Sequence, residues 1–256
     1  MSNTIKIVTL FFIITFVCAA CVNDDLVPVY EEQKAGKVVI RGYNALQDSV
    51  QISLNGKLLV MSKHDAFVKK VENNYEFVYY NDISRKIDII NKKTNEILKS
   101  YNFTKSKPID TLSFYVKENI WIENVLSYKP GKLTGTGRTG FRFIFPGVNL
   151  YSKSGYSGAL DAIIKKTNGQ LLGIAENITN TSFSSFVEFP FSSPPIVSVE
   201  IVKHGTTESY VPEKKIIFQM ALQNNKSKLI VLEEKATGNV FSGVEGTINL
   251  ADYFTF

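Results

Sequence analysis

The chain has 256 residues, 44% hydrophobic and 21% charged, with a formal net charge of +5. Lysines and arginines are scattered among acids in no long block, which describes a solvated surface and excludes a nucleic-acid-binding stripe. Two histidines, His64 and His204, far apart in sequence, and only two cysteines, both within the first 21 residues, make a poor transition-metal ligand set.

The first element is an apolar run, Val8 to Ala20, behind a short leader whose one charge is Lys6. Thirteen residues are too few to cross a hydrocarbon core, which needs about 20, but they suit the hydrophobic region of a signal peptide. Cys18 follows bulky Phe16 and Val17, whereas Cys21 follows Ala19 and Ala20, which a peptidase pocket accepts. This arrangement resembles the lipid-attachment box of bacterial lipoproteins. The resemblance implies a signal peptide over 1–20 and a mature chain that starts at Cys21, with acyl chains of the palmitate kind on it. Two or three such chains anchor stably in a membrane where one does not. Lys6 leaves with the signal, so the net charge falls from +5 to +4. Cys18 leaves with it and Cys21 is capped, so no disulfide is expected. The remaining 236 residues, 21–256, suffice for one large or two ordinary domains.

The next residues, Val22-Asn23-Asp24-Asp25, resemble the acidic export signal behind the lipidated cysteine of Bacteroidota surface lipoproteins. By that resemblance Asn23, Asp24 and Asp25 send the protein to the outer membrane with its body exposed at the cell surface. Asp48-Ser49-Val50 and Asp110-Thr111-Leu112 look like that phylum's O-glycosylation sequence, with Ser49 and Thr111 as acceptors.

Residues 21–36 are polar and acidic enough to act as a tether. Beyond them the hydrophobic period is two. Val50, Ile52 and Leu54 share a face, as do Tyr75, Phe77 and Tyr79, then Leu112, Phe114 and Val116. The pattern returns at Phe141, Phe143 and Phe145, at Val197, Val199 and Ile201, and at Ile216, Phe218, Met220 and Leu222. Such alternation predicts antiparallel sheets buried mainly on one face. No stretch of 12 or more residues has helical periodicity; 119–128 reads as a short helix or another strand.

Asn55-Gly56-Lys57-Leu58-Leu59 echoes Asn168-Gly169-Gln170-Leu171-Leu172, and Ile87 to Leu98 echoes Leu160 to Leu172. Asn and Gly tolerate positive φ, so each predicts a tight hairpin turn. Two readings stay open: tandem similar units, or hairpins with convergent turn chemistry. The break between units falls in 129–140, where glycines and Pro130 oppose a packed strand. The predicted organisation is all-β: an N-terminal sandwich over 37–128, a linker over 129–140 and a C-terminal sandwich over 141–256.

The linker holds Gly135-Thr136-Gly137-Arg138-Thr139-Gly140, a formal match to the dinucleotide fingerprint. That fingerprint needs a helix N-terminus against the pyrophosphate, and Phe-Arg-Phe-Ile-Phe follows instead, so no cofactor is expected. Gly155-Tyr156-Ser157-Gly158-Ala159 lacks the last glycine of a nucleophile elbow. His64 and His204 read as surface histidines, and Glu233 and Glu234 point to opposite faces if they end a strand. No catalytic residue is assigned, and a non-enzyme is expected.

Binding residues are sought among the 31 aromatics. If 119–123 is a strand, Trp121 lies opposite Ile120 and Ile122, either exposed for stacking on a sugar or partner side chain or buried between the domains. Tyr151 and Tyr156, in the Gly- and Ser-rich loop before Leu160, are the next candidates.

Taken with Cys21, Asp24, Asp25 and the Asn55-Gly56 hairpin, the chain resembles Bacteroidota lipoproteins built from tandem transthyretin-like or immunoglobulin-like sandwiches. The expectation is a lipid-anchored binding or adhesion module, an accessory to glycan or nutrient capture. Its expected partners are the membrane, through Cys21, and a glycan or surface protein. The alternatives are a fimbrial or cell-surface assembly component, which binds other chains through a sheet edge, and a hydrolase.

Overall fold

The structure is a computed structural model describing residues 33–59, 69–80, 84–118 and 120–256. Cys21, Asn23, Asp24, Asp25 and His64 lie outside the described residues.

Among the described residues, sixteen strands form four sheets of four. In the N-terminal half these are β1 (Gln33–Asn44), β2 (Val50–Leu54), β3 (Lys57–Leu58), β4 (Lys70–Tyr80), β5 (Arg85–Asn91), β6 (Ile97–Phe103), β7 (Ile109–Lys117) and β8 (Ile120–Glu123). The C-terminal half continues with β9 (Arg138–Ile144), β10 (Leu160–Lys166), β11 (Leu171–Ile178), β12 (Val187–Pro190), β13 (Ile196–Lys203), β14 (Ile216–Ala221), β15 (Lys226–Thr237) and β16 (Val240–Asn249). Each half is a β-sandwich. Its inner sheet is ordered β4-β1-β7-β8 or β12-β9-β15-β16, and its outer sheet β3-β2-β5-β6 or β11-β10-β13-β14. Adding eight to each N-terminal strand number gives the C-terminal order, so the two sandwiches share one topology. In both, the first strand pairs in parallel with the seventh and all other pairs are antiparallel.

This topology separates the two sequence echoes. The Asn55-Gly56 and Asn168-Gly169 turns join equivalent strands, β2–β3 and β10–β11. Ile87–Leu98 belongs to β5–β6, whose counterpart is β13–β14, so its echo in 160–172 is shared turn chemistry. Asn55 (φ 50°) and Gly56 (φ 78°) are both left-handed, the geometry that keeps hairpin strands aligned.

Among the described residues, strand alternation builds three cores. Val38, Ile40, Ile52, Ile87, Ile89, Leu112 and Phe114 fill the N-terminal sandwich, and Phe141, Phe143, Phe145, Ile164, Val199, Ile201 and Leu232 the C-terminal one. A third cluster lies between them, where the outward faces of the two inner sheets meet. Tyr115, Ile120, Ile122 and Val125 pack there with Ile144, Phe183, Leu229, Val231, Ile248 and Leu250. Lys117 Nζ donates to Glu233 across this seam at 2.9 and 3.0 Å.

Two predicted boundaries shift. β1 begins at Gln33, inside the stretch read as tether, because backbone pairing to β4 extends a strand past its apolar residues. β9 begins at Arg138, inside the stretch read as linker. The rest of that stretch is pinned to the C-terminal sandwich. Thr134 donates through N and Oγ1 to Glu188 at 3.0 and 2.8 Å. The Phe186 ring lies between Gly131 and Gly140, where an added Cβ would fall 2.2 and 2.4 Å from ring carbons. Gly131 and Gly140 serve close aromatic packing. The ambiguous 119–128 stretch holds both options in short form, β8 and a 3-10 turn at Val125–Ser127.

Candidate functional site

Corresponding ends of the two sandwiches are built differently. In the N-terminal sandwich residues 45–49 join β1 to β2, and buried Asn44 holds this short turn: its Nδ2 donates to Asp48 O at 2.9 Å and its Oδ1 accepts from Leu46 N at 3.0 Å. In the C-terminal sandwich the equivalent connection runs from 145 to 159, and 204–215 joins β13 to β14 where 92–96 serves the N-terminal half.

The long connection is wrapped around one carboxylate. Glu234, 6% exposed, points into the sandwich from β15, while Glu233 faces the seam, as strand alternation predicts. Glu234 accepts from Asn149 N (3.0 Å), Tyr151 N (2.7 Å), Ser152 N (2.9 Å), Ser152 Oγ (2.6 Å) and Tyr210 Oη (2.9 Å). A buried carboxylate costs much free energy unless its oxygens are satisfied, and five donors satisfy it. Burial and the adjacent Glu234 charge push the Tyr210 phenol far above its ordinary pKa, so it stays a donor.

A second layer of bonds fixes the rest of the loop. Asn149 Nδ2 donates to Tyr156 O at 2.7 Å, and Ser154 Oγ to Asn149 Oδ1 at 2.5 Å. Tyr156 Oη donates to Ala159 O at 3.0 Å, and the phenol end of its ring lies over Gly158, where a Cβ would fall 2.4 Å from the oxygen. Lys203 Nζ stands 5.8 Å from the Tyr156 ring centroid. Beside this loop is a groove of about 220 Å³, lined by Val148, Asn149, Tyr156, Ser157, Thr179 and Asn180 over a floor that includes Phe145 and Leu160. Tyr151 instead borders a smaller cleft, about 50 Å³, between the sandwiches with Lys117, Glu118, Glu233 and Glu234.

Close to the groove, buried Asp161 accepts from Asn177 N (3.0 Å) and Gly205 N (2.9 Å), and its Oδ1 is 2.8 Å from Nδ1 of exposed His204. The bond to Asp161 and its charge raise the His204 pKa above the ordinary imidazole value. Among the described residues no group of three or more acidic, histidine or cysteine side chains could hold a metal ion.

The structure therefore groups Tyr151 and Tyr156 on one loop and leaves the other candidates elsewhere. Trp121 is half-buried and stays out of the seam. Ile120 and Ile122 fill the seam, and the indole turns into the N-terminal sandwich, stacked on Phe114 at 5.1 Å and 7° with Nε1 donating to Tyr101 Oη at 3.2 Å. Ser49 is half-buried in the turn before β2, and Thr111 is exposed on β7. Glu234, Asn149 and Tyr210 were not singled out as site residues from sequence. Glu234 ends an apolar run and reads as one of an acidic pair; its partners lie 24 to 85 residues away.

No protein-family model matches the sequence, and no curated protein matches it. Among solved structures, the chain is similar to the Bacillus anthracis TIE protein, at 11% identity over 77% of this chain and 33% of that one, TM-score 0.25. It thus spans about a third of that protein's length. A second similar structure is a family 41 carbohydrate-binding module from streptococcal virulence factors, described for alpha-glucan recognition, at 14% identity over 75% of this chain and 92% of that one, TM-score 0.23. A third is CBMbc, a family 26 module of Eubacterium rectale Amy13K in complex with maltoheptaose, at 10% identity over 83% and 97%, TM-score 0.20. Scores this low assign neither a fold nor a ligand to this chain.

Proposed function

We propose that this protein is a lipid-anchored cell-surface binding module whose C-terminal sandwich takes a glycan in the groove beside Tyr156, without turning it over. The observation that carries this reading is the 145–159 loop, held in place by buried Glu234 where the matching N-terminal connection is a short turn. A loop fixed before a ligand arrives loses little conformational entropy on binding. Amides, hydroxyls and one half-exposed tyrosine ring line the groove, a set that suits a hydroxyl-rich ring. At about 220 Å³ it is smaller than the roughly 300–1,000 Å³ pockets of drug-sized ligands, so it fits a single small unit of a chain.

The anchor reading rests on the Ala19-Ala20-Cys21 box and on Asn23-Asp24-Asp25 behind it. β1 leads from Gln33 to Tyr43 in the seam, roughly 33 Å at about 3.3 Å per residue, so the seam and the C-terminal sandwich lie at the opposite end of the N-terminal sandwich from Gln33.

The groove is tested by affinity electrophoresis of the mature chain against a panel of polysaccharides. Retardation by one of them, weakened in Tyr156→Ala and Asn180→Ala and kept in Trp121→Phe, supports the reading; retardation by none overturns it. Release of a Cys21→Ala variant from the membrane fraction is the expected outcome for the anchor.

A further inference from the structure

The outward face of the C-terminal outer sheet, on the side of that sandwich away from the seam, carries a surface that neither the glycan groove nor the anchor uses. Strand register settles what stands on it. Ile163 and Lys165 alternate with the core residues Ala162 and Ile164, so they face outward. Ile163 pairs with Ile174 on one side and Glu200 on the other, Lys165 with Leu171 and Ser198, and Glu200 with Ile217. Ile196, four residues before Glu200 on β13, shares the face. Among the described residues, the C-terminal sandwich exposes five large aliphatic side chains. Four of them, Leu171 (55%), Ile174 (41%), Ile196 (39%) and Ile217 (52%), stand here. Half-buried Ile163 joins Ile174 to the centre, where Lys165 Nζ meets Glu200 at 2.7 Å. The other charges facing this way are Glu176 on β11 and Lys215 just before β14, with Asp161 already bonded to His204, so two lysines stand against two glutamates.

We infer that this face pairs with the same face of a second copy, in a reversible isologous dimer. The occupant follows from charge and from area. A face that is neutral as a whole and carries a Lys–Glu pair at its centre is complementary to itself: a two-fold axis in the plane of contact lays Lys165 of each copy beside Glu200 of the other, inside a frame of aliphatic side chains. The chain already joins two of its own sheets with such a set. At the seam Ile120 and Ile122 pack with Leu229, Val231 and Ile248 beside the Lys117–Glu233 pair. Four strands about 4.8 Å apart, each with about seven residues at about 3.3 Å, cover roughly 440 Å². Two copies thus bury about 900 Å², below the roughly 1,200 Å² of a stable complex, which is the size of a transient pair and not of a permanent one. The inference does not rest on the glycan reading. Where both hold, each dimer offers two grooves to one polymer.

Sedimentation velocity of the mature chain carrying Cys21→Ser, from about 1 μM to about 1 mM, tests the face with no acyl chain present. A reversible shift from monomer to dimer is expected within that range. Ile217→Lys with Ile174→Lys, at side chains too exposed to support the fold, weakens it at least about tenfold. Ile97→Lys, at a similarly exposed isoleucine of the N-terminal sandwich (51%), leaves it unchanged. Glu200→Lys alone and Lys165→Glu alone each weaken self-association, and an equimolar mixture of the two recovers it, because a positive face then meets a negative one. Recovery in the mixture separates a shared face from a loss of folding. A chain that stays monomeric at the highest concentration, a dimer indifferent to the Ile217 and Ile174 substitutions, or no recovery in the mixture overturns the proposal. A monomer that instead binds phosphatidylcholine vesicles through the same isoleucines gives the face to a lipid surface and overturns it as well. Absence of glycan retardation in a chain that still dimerises is a failure of the groove reading alone.

Discussion

The two sandwiches share sheet order and handedness of pairing, yet one is finished by a buried amide and the other by a buried carboxylate. Asn44 closes a short turn with two bonds to its own neighbourhood. Glu234 gathers five donors from two long connections. A neutral side chain suffices where the chain turns back at once. A long connection leaves many backbone N–H groups to be satisfied, and an ionised acceptor with two oxygens satisfies several together. The difference shows how a repeated scaffold gains a long, internally held connection at one end without altering its sheets.

The comparison is broken most severely by Glu234→Ala, which leaves buried donors unpaired. A loss of about 3–4 kcal/mol in urea unfolding is expected, with loss of glycan retardation, against about 1–2 kcal/mol for Asn44→Ala. Equal costs would mean that the two ends are alike. Tyr115→Ala empties part of the seam and should cost about 3 kcal/mol or more. Trp121, the one tryptophan, sits in the N-terminal sandwich, so its fluorescence follows that half while circular dichroism follows both. The wild-type transitions should coincide and those of Tyr115→Ala should separate; coincidence in both would show that the seam does not couple the halves.

Gly140→Ala is expected to cost about 1–3 kcal/mol, because its Cβ would enter the Phe186 ring. Phe186→Leu in the same chain should recover part of that loss, and a neutral Gly140→Ala would argue against the clamp. The smallest effect belongs to His204. Its folded pKa lies above its unfolded value near 6.5, so its contribution is fully present below that pH and is lost as pH rises through the folded value. Thermal melts across this range should show a shallow decline on the alkaline side that His204→Gln removes. A decline unchanged in the variant would assign it to another group.

Much of the strand framework was legible because it is local. Val50-Gln51-Ile52-Ser53-Leu54 alternates within five residues, and Asn55-Gly56 turns on its own backbone preferences, so no distant partner is needed to read either. Polar strand ends were not legible. Gln33 to Gly36 belong to β1 through pairing with β4, and Arg138 to Gly140 belong to β9 through pairing with β12, bonds that side-chain periodicity does not record.

The candidate site divides in the same way. Tyr151 and Tyr156 could be picked from a Gly- and Ser-rich loop, since composition marks loops and loops carry recognition. Trp121 could be set opposite Ile120 and Ile122, but which side met a core depended on a seam with residues of the other sandwich, from Ile144 to Leu250. By itself, then, the sequence determined an all-β chain, its turns, the opposed faces of Glu233 and Glu234, and the box at Cys21. Only the tertiary structure decided that the two sandwiches repeat one topology and meet across their inner sheets. It also decided that Glu234 holds a loop more than eighty residues before it. Periodicity is a property of neighbours along the chain, whereas burial and charge satisfaction are properties of neighbours in space.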